Sequence, residues 1–423
     1  MEANADQADS GKAAWQTTSI NHERIHGRIY TTSGFLDEAA AAQTAGVVSS
    51  TLVQGGRILS PRANECRPSE SPPSRAILRE GDLAVVLVRR VGDSALVTPE
   101  HAGCTATRSI GIIRAEPHIV RWLRIWLQTP TAKARIDEDV TAHVEPTISL
   151  DTLNRMLFPL PPPDVINAYH RAFGLIEEMT ALYQETARKA VELADALHDD
   201  WASTSPPWET RPLAKVAKSK TGKGSERSLP PLPAEPTIDV TDVVAPKDLY
   251  DLPAPHVQRF RLSSPSSDGE AHPPGTLLLS TRSDGAHIVV LSRPATPLRG
   301  VVAIRPGEDE DGWWLLHELR SRSSDIARLA QGQNGREISA GALKRLEVTW
   351  PDRFARTDFH AMADPLHAAA RLLVAKIATL HTLRDALLRD ISAKAGVLRE
   401  PTADPEEQSA PALRPTAALH YGA

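Results

Sequence analysis

Residues 81–97 read GDLAVVLVRRVGDSALV, and residues 275–290 read GTLLLSTRSDGAHIVV. Each stretch opens on glycine, runs through an apolar strand and reaches an Arg-x-x-Gly turn, Arg89 to Gly92 and then Arg282 to Gly285. A second apolar strand follows in both. Apolar strands resemble one another, so one such pair proves little. The likeness continues outward, however, in the same order. SIGIIRAEP (109–117) is matched by GVVAIRPGE (300–308), and VRWLRIWLQTP (120–130) by GWWLLHELRSR (312–322). TISLDTLNRMLFPLP (147–161) is matched by EISAGALKRLEVTWP (337–351). Order is kept and the offset hardly changes, which reads as an internal duplication.

The last matched segment carries a local signal. Ser149 and Ser339 stand just before short helical stretches, LDTLNR and AGALKR. A serine there can accept a bond from an amide that the first helical turn leaves orphaned. No histidine sits at a fixed offset from both, so these serines are read as caps and not as nucleophiles.

A long helical stretch follows each copy. In the first, Phe173, Ile176, Thr180, Tyr183, Ala187, Ala190, Ala194, Leu197 and Trp201 alternate by three and four. In the second, the same alternation runs through Leu366, Ala370, Leu373, Ile377, Leu380, Arg384, Leu387 and Ile391. Thr180 and Arg384 are the polar interruptions. A 3.5-residue apolar repeat with charged flanks is the pattern of a coiled-coil seam, and the alanines permit close approach. The layout is a globular unit, a long helix, a second globular unit and a second long helix.

Composition narrows the function classes. With 41% hydrophobic and 24% charged residues over 423 positions, the chain is an ordinary globular one of two or three domains. Aromatics are only 4%, so the cores are expected to be chiefly aliphatic. The net charge of -5 excludes a polycation, and nucleic-acid contact would have to come from local basic patches. Cys66 and Cys104, the 2 cysteines, have no metal-like spacing and suggest neither a zinc site nor a disulfide scaffold. No apolar run is long enough to span a bilayer, and the polar N-terminus lacks a signal core. A cytoplasmic location is expected. Residues 61–76 and 397–423 are rich in Pro, Ser, Ala and charge, and read as a loop and a disordered tail.

Ser205-Pro206-Pro207-Trp208 raises a different possibility. A small polar residue, two prolines and an aromatic form the catalytic loop of amino-methylating DNA methyltransferases. Such enzymes need a doubly wound sheet and a glycine-rich turn after a buried strand. The nearest glycines, Gly222 and Gly224, follow AKVAKSK, which does not read as a buried strand. The prolines are better read as stopping the first long helix. Trp208 and Leu213 then begin the second unit, followed by a basic run of Lys215, Lys218, Lys220, Lys223 and Arg227.

Taken together, WETRPLAKVAKSKTGKG (208–224), GDLAVVLVRRVGDSALV, TISLDTLNRMLFPLPPP (147–163) and KIATLHTLRDALLRDISAKAG (376–396) resemble the specificity subunit of Type I restriction–modification systems. The resemblance covers residues 80–202 and 208–396. It departs from the family where Asp164-Val165-Ile166 follows the prolines, in the acidic and Pro/Ser-rich loops of the second unit, and over the first 80 residues, which match only around AAWQTTSINHERIHG. The resemblance implies an α+β fold of two tandem target-recognition domains, each followed by a long helix, with the helices paired as an antiparallel coiled coil. The implied boundaries are 1–165 and 203–355 for the recognition domains, and 166–202 and 356–396 for the spacer helices.

The implied function is non-catalytic. Each recognition domain reads half of a split double-stranded DNA target, and the helices set the gap. The implied partners are modification methyltransferase subunits, two copies, and a restriction–translocase subunit. The chain itself binds no cofactor, because S-adenosylmethionine belongs to the partner methyltransferase. An assembly protein that has lost DNA reading is the alternative, ahead of the methyltransferase reading. Candidate DNA contacts are Arg89, Arg90 and Arg108 in the first unit. In the second they are Lys215, Lys218, Lys220, Lys223, Arg282, Arg299 and Arg336. Arg114 and Arg305 correspond by position but, lying just after strands, are expected to be structural. Candidate seam and partner-binding residues are Phe173, Ile176, Tyr183, Leu197, Leu373, Ile377, Leu380 and Leu387.

Overall fold

The computed structural model describes residues 15–21, 28–30, 46–59, 74–140, 145–204, 208–229, 241–250, 252–257, 262–264, 269–281, 287–331 and 337–396. Arg282, Gly285, Arg336, Ser205 to Pro207, residues 60–73 and the 397–423 tail lie outside the described residues. Helices and strands are mixed, and the chain divides into two compact units. One is Met1–Gly174 with Arg384–Ala423, and the other is Leu175–Leu383.

The first unit is built on a four-stranded antiparallel sheet in the spatial order Arg28–Tyr30, Ile110–Arg114, Leu83–Val86, Ser94–Leu96. In this sheet Leu83 lies opposite both Leu96 and Ile113. The second unit has the order Ala217–Thr221, Val301–Pro306, Leu277–Ser280, Ile288–Leu291, with His256–Val257 added in parallel at the far edge. Here Leu277 lies opposite both Val290 and Ile304. The repeated sequence therefore folds into the same strand order in the same register. Its opening glycines share one backbone conformation, with φ +84° at both Gly81 and Gly275, a region that favours glycine because it has no Cβ.

Main-chain bonds repeat as well. Gly81 donates to the Val97 carbonyl at 3.0 Å, and Gly275 to that of Leu291 at 2.8 Å. Ile148 donates to Leu87 at 3.0 Å, and Ile338 to Thr281 at 2.9 Å. Each unit closes with a two-stranded ribbon, Gln16–Thr18 on Phe158–Leu160 and Thr210–Pro212 on Glu347–Thr349. A buried indole ties each ribbon to the core. Trp122 Nε1 donates to the Pro159 carbonyl at 2.5 Å, and Trp314 Nε1 to the Thr349 carbonyl at 2.9 Å. The serine caps form as expected: Ser149 Oγ accepts from the Thr152 amide at 3.0 Å, and Ser339 Oγ from the Ala342 amide at 3.1 Å.

The cores are chiefly aliphatic, as expected, with tryptophans at the centres of the two larger clusters. Trp122 and Trp126 lie among the leucines and isoleucines of the first unit, and Trp313, Trp314 and Trp350 in the second. The few aromatics are spent where each helix meets its sheet, since one indole fills more of that space than any aliphatic side chain.

Pro163–Thr204 and Arg353–Gly396 form the two long helices. Within the second unit they run antiparallel. Lys376 Nζ lies 5.5 Å from the Tyr183 ring, Ala187 and Val191 cluster with Ala370, and the rings of Trp201 and Phe359 meet at 6.1 Å. Ile176 and Ile377 are buried, while Tyr183, Leu197, Leu373 and Leu380 are half-buried. In the first unit, Phe173 and Leu387 pack with Leu388, Ile391 and Ala395. There Tyr169 Oη donates to Asp390 at 2.9 Å. Arg384, the polar interruption of the second helix, is bonded to Gln128 Oε1.

Candidate nucleic-acid interface

In the first unit the Arg-x-x-Gly turn links the strands Leu83–Val86 and Ser94–Leu96. Arg89 has φ +68°, the only such value among described non-glycine residues. A β-carbon in the left-handed region crowds the following carbonyl, which costs roughly 1–2 kcal/mol. The Arg89 side chain lies outward, where Nε meets Glu145 Oε1 at 2.9 Å with both side chains more than half exposed. Its neighbour is engaged differently. Arg90 Nη2 donates to the carbonyls of Ser50 at 2.6 Å and Val53 at 3.0 Å, tying the turn to the 46–59 segment. Arg108 is exposed and meets no carboxylate among the described residues. Arg114 makes a two-pronged pair with Asp82, Nε to Oδ1 and Nη2 to Oδ2, both 2.7 Å. Asp82 is 2% exposed, so this arginine supports the sheet.

In the second unit the basic run folds as a short helix, Leu213–Val216, leading into the edge strand Ala217–Thr221. Leu213 is buried and Lys215 exposed, while Trp208 is half-buried with its indole N–H lacking a partner among the described residues. The strand turns Lys218 and Lys220 to one face, and Lys218 stands directly opposite Arg305 of Val301–Pro306. Neither meets a carboxylate among the described residues. Like charges opposite one another across a ladder are destabilising, and the register leaves these two cations side by side and exposed. Arg305, expected to be structural, is instead exposed beside the lysines. Beyond the strand, a recess of about 290 Å³ is lined by Lys220, Gly222, Lys223, Glu270, His272 and Pro297. Lys220 pairs with Glu270 across it. Burial pulls the His272 imidazole below its ordinary range; Glu270 opposes this, and Lys220 and Arg305 add to it. Gly222 has no room for a side chain, because a Cβ would overlap the carbonyl oxygens of Pro297 and Leu298. Arg299 is exposed, with its amide on the Gly224 carbonyl at 3.1 Å.

The 217–221 strand is antiparallel to its neighbour and lies at a sheet edge. Gly222 and Gly224 therefore do not follow a buried parallel strand, which a methyltransferase cofactor turn requires.

Relieving the like-charge pair should not cost stability. Lys218→Ala and Arg305→Ala should each leave the melting temperature unchanged or slightly raised. If this edge takes DNA phosphate, each should weaken binding to duplex DNA of any sequence and lower the slope of log K against log salt by roughly 1. A titration series at several salt concentrations measures this; unchanged slopes in both variants would remove these cations from the interface.

One polar cluster was not visible in the sequence. In the second unit, Asp195 Oδ1 accepts from His317 Nδ1 at 2.6 Å. His317 Nε2 lies 2.8 Å from His367 Nε2, and His367 Nδ1 lies 3.2 Å from His256 Nε2. Arg320 makes two bonds to Asp195, at 3.0 and 2.7 Å, and the Trp313 ring stacks on His367 at 3.9 Å. All the imidazoles are held below their ordinary range. Burial is the main cause for each; Arg371 and Arg320 take His256 further, to about 3. His317 and His256 add to the effect on His367. For His317 the bond to Asp195 opposes burial. Asp195 itself is pushed up by burial, but the bonds from His317 and Arg320 outweigh that and hold its carboxyl well below the usual range. The residues come from the first long helix, helix Gly312–Ser321, the second long helix and the strand His256–Val257. No local spacing unites them. His367 uses both ring nitrogens on its neighbours, so the cluster has no common point for an ion, and no metal-holding group of His, Cys, Asp or Glu occurs among the described residues.

No family model matches the chain, and no curated protein does. Its fold is similar to that of the Type I restriction-modification system S subunit from M. genitalium, with a TM-score of 0.50 and 13% identity, covering 92% of this chain and 98% of that one. Lower-scoring alignments join it to the HsdS subunit from Thermoanaerobacter tengcongensis, with a TM-score of 0.34 and 18% identity, covering 90% and 96%. They also join it to a chain from a study of complex assembly and conformational transition of the type I R-M system, with a TM-score of 0.42 and 18% identity, covering 91% and 99%. No helix among the described residues is long and apolar enough to cross a membrane.

Proposed function

We propose that the chain is the DNA-recognition subunit of a Type I restriction–modification complex. The observation that carries this reading is the repeated sheet, with the same strand order and register in both units, together with a fold similar to an S subunit. Each repeat is a target-recognition domain and reads one half of a split double-stranded target. In the second, the Lys218–Arg305 edge and the recess beside it take the phosphate backbone, with Lys215, Lys223 and Arg299 nearby. In the first, Arg89 and Arg108 reach the DNA, while Arg90 supports the turn. The two long helices are the antiparallel coiled-coil spacer that sets the gap between half-sites.

The chemistry belongs to partners. Two modification methyltransferase subunits carry S-adenosylmethionine, a restriction–translocase subunit joins them, and this chain is the non-catalytic guide, working in the cytoplasm. An exposed apolar stripe supports a protein partner on the first long helix: Leu175 at 59%, Met179 at 39% and Leu182 at 61% exposure share one face.

The test is methylation mapping of a host that carries the neighbouring methyltransferase, with and without this chain. A split motif that depends on the chain is the expected result. Replacing residues 208–355 by another recognition domain should then change one half of the motif only. A methyltransferase that still binds the chain, with no motif depending on it, would leave an assembly role in place of recognition.

A further inference from the structure

We propose that the Asp195–His317–His367–His256 chain is the register key of the second unit: it selects one axial alignment of the two long helices and locks that alignment to the recognition domain. The apolar seam does not do this by itself. Its contacts here are small and repetitive, with Ala187, Val191 and Ala370 at the centre and Ala190, Leu373 and Val374 around them. Ala187 and Ala194 are one heptad apart on the first helix, as are Ala363 and Ala370 on the second, and all four are buried. A slip of one heptad would set alanine on alanine again at the centre of the seam. Seams of this kind specify register weakly, and a buried polar group is the established device for choosing one alignment.

The polar chain has no such degeneracy. Asp195 is acceptor-only and fixes Nδ1–H on His317. His317 Nε2 is then bare and accepts from His367 Nε2–H. His367 Nδ1 is bare in turn and accepts from His256 Nε2–H. Each proton position follows from the carboxylate, so the chain is complete in one alignment only. Displacing the first helix by a turn takes Asp195 from His317 and Arg320; displacing the second takes His367 away and strands the buried imidazoles of His317 and His256. Helix Gly312–Ser321 supplies both His317 and Arg320, so the same bonds that align the helices also tie them to the domain. Trp313 adds a second tie, stacking on His367 and donating Nε1 to Asp364 Oδ1 at 3.0 Å. Asp195, His317, His367 and His256 are therefore positioning residues. Their consequence for the length of the DNA gap rests on the function proposed above, but the alignment itself does not.

The full-length chain tests this with nitroxides at Ala196→Cys and Thr379→Cys, both exposed positions, in a Cys66→Ser, Cys104→Ala background. Pulsed dipolar spectroscopy on the parent should give one narrow distance. A fourfold apolar replacement, Asp195→Leu, His256→Phe, His317→Phe and His367→Leu, should keep its helix signal in circular dichroism. Its distances should broaden or split by a helical repeat, at about 5.4 Å per turn. His367→Gln alone, which can still donate and accept, should keep much of the narrow distance. A narrow, unshifted distance in a folded fourfold variant would overturn the proposal. If that variant does not fold, His317→Phe with His367→Phe is read the same way, and one unshifted distance there overturns it equally. Methylation mapping of the same variants should show one motif with a spread of gap lengths. Loss of any motif in the parent would count against DNA recognition while leaving the spectroscopic result standing.

Discussion

Lowering the pH from 7.5 to 5 is expected to cost the second unit on the order of 4 kcal/mol of stability, about 2 from each of His256 and His367. In the fold, burial holds both imidazoles far below their ordinary value, His256 to about 3. In the unfolded chain both titrate near the unperturbed value of about 6.5. Folding thus excludes protons that the unfolded state binds. The full contribution is present above about pH 6.5 and is lost progressively as the pH falls. His317, lowered by the same burial, acts in the same sense. The depressed carboxyls of Asp195 and Glu318 act only further down, below the ordinary carboxylate range. Urea unfolding at half-unit pH steps, followed by tryptophan fluorescence, measures the slope. Trp313 reports on the site directly, since it stacks on His367. His256→Gln and His367→Leu should each flatten the pH dependence by one proton. A stability that stays level between pH 7 and 5 would mean that the imidazoles are not held neutral.

Replacing either repeated indole should damage its own unit to the same degree. Trp122 and Trp314 are each fully buried, and each donates to a carbonyl in the closing ribbon. Alanine at either position should cost about 3–5 kcal/mol, the range for losing an aromatic side chain from a packed core. Phenylalanine keeps most of the apolar contact but leaves a buried carbonyl unpaired, which adds about 1–3 kcal/mol. The diagnostic outcome is equality: Trp122→Phe and Trp314→Phe should shift their transitions by similar amounts in denaturant melts. A large loss at one position and almost none at the other would show that the bond is structural in one repeat and incidental in the second.

Much of this architecture was legible from the residues. The paired openings at Gly81 and Gly275, the strands after them and the matched tryptophans are local signals, and local signals survive in a linear reading. The same holds for Ser149 and Ser339, whose capping role needs only an amide three residues on. It holds also for the seam positions, from Phe173 and Ile176 to Leu387, because a helix converts spacing along the chain directly into a face.

The surroundings of the candidate arginines and lysines were not legible in the sequence. Arg89, Arg90 and Arg108 look alike as letters. The fold turns Arg89 outward in a strained turn, spends Arg90 on the carbonyls of Ser50 and Val53, and leaves Arg108 exposed. Arg114 and Arg305 occupy matching places in the repeat, yet only Arg114 finds a buried aspartate. The opposition of Lys218 to Arg305 depends on strand register, which is set by partners far away in the chain.

By itself, then, the sequence determined the duplication, the order of elements within each copy, the caps and the apolar faces of the long helices, because each follows from contacts between near neighbours. Tertiary structure alone decided which cations stand free and which are spent on the fold. It also decided that Asp195, His256, His317 and His367 would meet in one hydrogen-bonded chain. Those residues come from separate helices and a strand, and only the packing of these elements brings them within bonding distance.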